Sequence, residues 1–200
     1  MKIALLASAS ALILAACSST PTTRTGADTD ARASTAAAAS VDTNLATEST
    51  LSGATVNLAS ASGSLVSGRL ALMPMDGGVH LHGEIGGLAP GSTHAIHIHE
   101  NGDCSAADAS SAGGHFNPTH EAHGKVGTAV HHGGDMDNIV ANAEGVATVN
   151  VHASGPVLGG GAANDAVGKA VVVHADPDDY TSQPSGNAGA RVACGVIRAE

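Results

Sequence analysis

From Ala54 onward the chain breaks into short segments that alternate or run apolar between Gly, Pro, Asn and Asp: ATVNLA, SLVSGRLALMP, VHLHGEI, THAIHIH, GVATVNVHA, AVVVHA and ARVACGVI. None carries a 3.6-residue apolar period over ten positions, so amphipathic helices are not on offer as core builders. Several short strands with Gly-rich turns predict an all-β domain, an antiparallel sandwich or barrel. Because the chain has no Trp, one Tyr (Tyr180) and one Phe (Phe116), its core has to be made from Val, Leu, Ile and Ala. Two stretches lack a strand pattern, one between His99 and Val140 and one between Asp176 and Ala190. Loops of that length in a compact domain are usually functional, and these two carry most of the chemically interesting side chains.

The N-terminus is of another kind. Lys2 precedes an apolar run from Ile3 to Leu14, followed by small residues up to Cys17. Roughly 12 apolar residues fall short of the ~20 that span a bilayer, so the run reads as an export signal. Leu14-Ala15-Ala16-Cys17 resembles the lipobox of bacterial lipoproteins, which implies a signal peptide over 1–16, cleavage before Cys17 and lipid on that cysteine. Ser18 in place of Asp points to an outer membrane, facing the periplasm. Residues 17–52, rich in Ser, Thr, Ala and Asp with hardly a large apolar side chain, read as a disordered tether. That leaves 53–200 as the folded domain. With Cys17 as the anchor, Cys104 and Cys194 remain as a pair, and in an exported chain such a pair suggests a disulfide.

Twelve histidines are many for 200 residues, and their placement says more than their number. His97 and His99 stand two apart in AIHIHE, so on a strand both project from one face. His115 follows two glycines; His123, His131, His132 and Asp135 share one Gly-rich loop; His174 ends an apolar strand. Imidazoles at this density with one carboxylate and no thiolate pair suit zinc and copper. From the residues alone, His120 competes with His123, and His131 with His132, for places in such a set. His94 reads as a buried support, and His80, His82 and His152 as strand residues on a surface or in a strand pair.

HIHENGDC, GGHFNP, HGGD, VVVHAD and GNAGARVACGVI, in this order between Ala54 and Arg198, resemble the motifs of the copper,zinc superoxide dismutases. The resemblance implies an eight-stranded Greek-key barrel or sandwich that carries one copper and one zinc ion and turns superoxide into oxygen and hydrogen peroxide. It implies copper on His97, His99, His115 and His174, and zinc on His115, His123, His132 and Asp135, with His115 bridging the two. Within the close pairs, His123-Gly124 and His132-Gly-Gly-Asp135 match the family pattern. Arg191 matches the active-site arginine, Asp178 the carboxylate that links a copper histidine to a zinc histidine, and Cys104–Cys194 the disulfide that braces the ligand loop. Bacterial members include both monomers and homodimers, and either is open here.

From Gly53 on there are five basic against 14 acidic residues, a balance of −9 with histidines neutral. Long-range attraction of an anion is therefore absent, and local focusing at Arg191 has to do the work. Lys125, directly after His123-Gly124, is a candidate helper. No nucleic-acid partner is expected. A copper- and zinc-buffering protein of the same fold is the alternative to an enzyme; the presence of all the copper ligands together with Arg191 favours the enzyme.

Overall fold

The computed structural model describes residues 44–200, so the export signal, Cys17 and the tether up to residue 43 lie outside the described residues. Within them the chain forms β1 (Ala54–Ser60), β2 (Ser67–Met75), β3 (Gly78–Gly86), β4 (Thr93–His94), β5 (Ile96–His99), a 3-10 turn (Ser110–Ala112), β6 (Ile139–Val140), β7 (Ala147–Ser154), β8 (Ala170–His174), β9 (Arg191–Val196) and β10 (Arg198–Ala199). The main sheet has eight strands in the order β5-β8-β9-β1-β2-β3-β7, with β10 paired to β1. Each of its pairings is antiparallel. The neighbours β3–β7, β1–β9 and β5–β8 are not consecutive in sequence, which is the crossover pattern of a Greek key. β4 continues into β5 across Ala95 and pairs with β6, which packs beside β7. That ribbon brings the two edges of the sheet together, and the sheet curls.

Strand alternation explains the core. On β7 the pattern buried-exposed repeats without a break from Ala147 to Ala153, the period-2 signature of a half-buried strand. Leu70, Leu72, Leu81, Ile85, Ile96, Ile98, Val171 and Val173 fill the interior, with Phe116 as the aromatic member. On β5 and β8 both faces are buried. Ile96, Ile98, Val171 and Val173 point into the barrel core, so the alternate positions, His97, His99 and His174, face outward under the loops that follow β5 and β8. A β-bulge completes the arrangement: Val173 pairs with Ala193 but His174 pairs with Arg191, leaving Val192 as the extra residue on β9. Bulges re-aim side chains beside active sites, and this one sets Arg191 opposite His174.

The domain begins earlier than the expected boundary at residue 53. Ala46 exchanges two hydrogen bonds with the Asn164 carboxamide, each 2.8 Å, and the Thr50 and Leu51 amides donate to the Leu158 carbonyl at 2.9 and 3.1 Å. Leu51 packs against the main core. Residues 44–52 are therefore a strap on the barrel rather than tether. The polar composition hid this, because apart from Leu51 the fixing groups are backbone amides and carbonyls, the Ser49 hydroxyl and a distant Asn.

Candidate metal centre

Seven side chains converge beneath the two long loops. The donor atoms of His97, His99, His115 and His174 lie within 4.8 Å of one another, and so do those of His115, His123, His132 and Asp135. All seven residues are buried. In the second set Asp135 Oδ1 stands 2.8 Å from His115 Nδ1, 3.0 Å from His123 Nδ1 and 3.4 Å from His132 Nδ1. His132 Nδ1 and His115 Nδ1 are 3.3 Å apart. A tetrahedral ion with bonds of about 2.0–2.1 Å has ligand atoms roughly 3.3 Å apart, so this cage has the size and donor set of a closed zinc site. His120 is exposed, and His131 turns its Nδ1 toward the His132 carbonyl at 2.7 Å; neither joins the cage.

The outer hydrogen bonds select which nitrogen each ring offers inward. His97 Nε2 donates to Asp178 Oδ2 at 2.9 Å, and His123 Nε2 to Asp178 Oδ1 at 3.0 Å. Both rings then present Nδ1. His99 Nδ1 donates to the Gly113 carbonyl at 3.0 Å and presents Nε2, which faces His174 Nε2 at 3.3 Å. Buried polar atoms are nearly always paired, yet His97 Nδ1 and His115 Nε2 have no hydrogen-bond partner, and His123 Nδ1 meets only the Asp135 carboxylate, 3.0 Å away. Imidazole nitrogens left facing two common points, beside a carboxylate, fit the chemistry of a copper ion and a zinc ion. His115 offers Nδ1 to one set and Nε2 to the other.

The electrostatics follow from burial and from two carboxylates. Burial pushes His115 down to about 4, its Asp135 contact opposing only in part. Burial, then the neighbouring His97 and His115, takes His174 down to about 3, and burial likewise holds His99 well below the ordinary imidazole value. These rings are neutral near pH 7, the form in which an imidazole can bind a metal. Burial also disfavours charge on His123, but Asp135 and Asp178 outweigh it and raise the ring to about 9. Burial alone would raise Asp135 and Asp178; hydrogen bonds from the surrounding histidines win and hold both carboxyls far below the usual carboxylate range.

A cavity of about 480 Å³ opens above His99, His115, His132 and His174, and Arg191 lines it. The guanidinium is fixed by two hydrogen bonds of 2.7 Å, from Nη1 to the Ala109 carbonyl and from Nη2 to the Gly113 carbonyl. Both carbonyls belong to the loop that the Cys104–Cys194 disulfide ties to β9. Ala109 and Ala112 pack with Cys194, Ala61, Ala170 and Val172 in a second small core under that loop. Two of the five Arg191 N–H groups are used in this way, which leaves three for an anion. Lys125 is not among the cavity's lining residues: its ammonium sits 5.2 Å from the centroid of the Tyr180 ring. His94 has the supporting role expected of it, with Nδ1 donating to the His174 carbonyl at 2.8 Å.

Three supports were not visible in the sequence. Asn138 accepts from the Asp178 amide at 2.8 Å and donates to its carbonyl at 2.9 Å. Gln183 does the same for His123, at 3.0 and 2.9 Å. Gly186 passes so close to Asp178 that a Cβ would fall 1.7 Å from Oδ1. These contacts span 40 or more residues of sequence for Asn138 and Gln183, and no local pattern encodes them.

Comparison with known proteins agrees with this chemistry. The sequence description of the copper/zinc superoxide dismutases (SODC) matches residues 66–197. Superoxide dismutase [Cu-Zn] 2 of Aquifex aeolicus is 42% identical over 136 residues, covering 66% of this chain and 80% of its own. Superoxide dismutase [Cu-Zn] of Caulobacter vibrioides is 45% identical over 126 residues, 60% of this chain and 72% of its own. Among solved structures, a proline-to-histidine mutant of an SOD-like protein from Bacillus subtilis superimposes with a TM-score of 0.65 at 35% identity, over 72% of this chain and 97% of that one. Cage, orphaned nitrogens, anchored arginine and sequence relatives all lead to one assignment: the chain belongs to the copper/zinc superoxide dismutase family.

Proposed function

We propose that this superoxide dismutase holds copper on His97, His99, His115 and His174 and zinc on His115, His123, His132 and Asp135. The observation that carries the assignment is His115, whose Nδ1 lies 2.8 Å from Asp135 while its Nε2 is buried without a partner beside His97, His99 and His174. When bound, copper would supply the redox chemistry, accepting an electron from one superoxide and giving it to the next, whereas zinc is redox-inert.

The remaining work falls to the protein. Arg191 binds the superoxide anion with the N–H groups its two carbonyl contacts leave free, and its planar fork holds the anion in one orientation. His115 stays in place through Nδ1, and Nε2 is the atom that holds a proton and passes it to the reduced oxygen. Two superoxides and two protons give one oxygen and one hydrogen peroxide. Asp178 is a positioning residue: by accepting from both His97 and His123 it fixes the orientation of one ring in each donor set.

The disulfide and the bacterial relatives mark an exported protein. We further propose a signal peptide over 1–16, lipid on Cys17 and attachment to the outer membrane on its periplasmic side. Among the described residues no helix is long and apolar enough to cross a membrane. The test of the centre is superoxide decay measured on protein reconstituted with copper and zinc, beside His115→Ala and Arg191→Ala. Metal-replete wild type is expected to be active and both variants impaired; equal rates would overturn the residue assignment. Mass spectrometry of the mature N-terminus tests the anchor, and an unmodified Cys17 would remove it.

A further inference from the structure

Six of the twelve histidines lie outside the internal centre. His94 is engaged on both nitrogens, by the His174 carbonyl and by Ser92 Oγ. His120 and His131 are single loop residues. The other three form a group. His80 and His82 occupy alternate positions of β3, between the core residues Val79, Leu81 and Ile85, and so share its outer face. Their rings stack with centroids 5.8 Å apart and planes within 16°. On the neighbouring strand His152 is the direct cross-strand partner of His80. It is exposed, between the buried Val151 and Ala153.

The strand on the other side completes a row. Met73 of β2 is the register partner of His80, so Met73, His80 and His152 lie abreast across β2, β3 and β7. Met75 follows two residues on, and the two methionines are 46% and 44% exposed. Large apolar side chains left in water at one spot need a reason. Ala71, the partner of His82 on β2, is small, and the His82 residue is half-buried. His82 Nδ1 is buried and meets no hydrogen-bond partner, as is also true of three donors of the internal centre.

We propose that the outer face of β2, β3 and β7 is a separate copper-binding site, with His80, His82 and His152 as imidazole donors and Met73 as a thioether donor. Directly opposed residues on antiparallel strands have Cβ atoms about 4.5–5.5 Å apart, and residues two apart on one strand are separated by roughly 6.6 Å. Both spacings let two imidazoles meet at one ion about 2.0 Å from each ring nitrogen. The exposed His152 ring closes the set by rotation about χ1 and χ2. Three imidazoles suit Cu(II), the tightest-bound divalent ion of its row, and a thioether is a soft donor that suits Cu(I). The site thus accommodates copper in either oxidation state. It lies on the outside of the barrel wall whose inner face is the apolar core, so it fills and empties without disturbing the internal pair.

The experiment uses untagged mature protein already loaded with one copper and one zinc, titrated further with Cu(II) and, under reducing anaerobic conditions, with Cu(I) against a competing chelator. A second copper equivalent is expected, with paramagnetic broadening by Cu(II) of backbone amides around residues 71–75, 78–82 and 150–154. His152→Ala and His80→Gln are expected to weaken this equivalent by more than about tenfold, since even a supporting partner of a metal ligand is worth that much. Met73→Leu should weaken Cu(I) alone. Dismutase rates should not change in any of the three, which also reports that they fold. Retention of the second equivalent by His152→Ala, or broadening centred on the loop of His120 and His131, would overturn the proposal.

Discussion

Substituting Gly186 by Ala tests whether Asp178 holds the two donor sets in register. The residue has φ +66°, and an added Cβ would stand 1.7 Å from Asp178 Oδ1 and 2.8 Å from His123 Nε2. Non-bonded heavy atoms settle at roughly 3.5 Å, so the carboxylate has to withdraw by nearly 2 Å. It cannot do so cheaply, because it accepts from His97, His123 and the Tyr180 amide at 2.9, 3.0 and 2.7 Å. The backbone is no freer: the Gly186 amide donates to Ser182 and its carbonyl accepts from Asp179, at 2.7 and 2.9 Å. Losing two hydrogen bonds to a charged acceptor costs about 3–6 kcal/mol, on top of about 1–2 kcal/mol for Ala at positive φ. Gly63→Ala is the control, since it has φ +71° and no atom within 4 Å of its Cβ. Chemical denaturation and chelator competition should show Gly186→Ala losing several kcal/mol of stability and tenfold to a hundredfold in zinc affinity, while Gly63→Ala loses only the backbone cost. In an Asp178→Ala background the excess should vanish, as expected of coupled neighbours. Equal behaviour of Gly186→Ala and Gly63→Ala would refute the reasoning.

Arg191→Lys should lower the rate constant for superoxide by roughly 10- to 100-fold with metal content unchanged, the equivalent of one charged hydrogen bond; pulse radiolysis measures it, because a single ammonium cannot span Ala109 and Gly113 and still present a fork. Replacing Cys104 and Cys194 together by Ala opens a link between residues 90 apart and should cost up to about 4.5 kcal/mol in denaturant stability, with a further fall in rate as the loop carrying the Arg191 contacts loosens. In metal-free protein the histidines set the pH profile. His115 and His174 fall to about 4 and about 3 when folded, so the unfolded chain binds more protons between those values and 6.5, and stability drops on acidification through that window by about 1.4 kcal/mol per unit per ring. His123, raised to about 9, acts in the opposite sense: its contribution is complete below 6.5 and is lost as pH climbs to 9. Denaturation of chelator-treated protein across pH 4 to 9 should therefore show a maximum near 6.5, and a profile still rising at pH 8 would contradict the assignment.

Much of the centre could be read from the sequence because the ligands sit in short, rigid contexts. The alternation of Ile96, His97, Ile98 and His99 places both histidines on one face of β5 whatever the rest of the chain does, and the structure has them there. The run from His132 to Asp135 closes as a local turn, with the Asp135 amide donating to the His132 carbonyl at 3.2 Å. What escaped were partners that meet only through the tertiary fold. Asn138 and Gln183 look like ordinary loop residues until Asp178 and His123 are laid against them. The strap over residues 44–52 escaped for the same reason, since its attachment is to partners more than 100 residues away, Leu158 and Asn164. Lys125, a candidate helper by its proximity in sequence to His123, has its ammonium 5.2 Å from the centroid of the Tyr180 ring and does not line the cavity.

The Gly113 carbonyl receives both His99 Nδ1 and Arg191 Nη2. Its two lone pairs make a common datum for the ring that faces the electron carrier and for the group that receives the anion. A shift of that peptide acts on both side chains at once, through one bond to each. One peptide of a surface loop thereby serves as the shared reference for two side chains from different strands, β5 and β9.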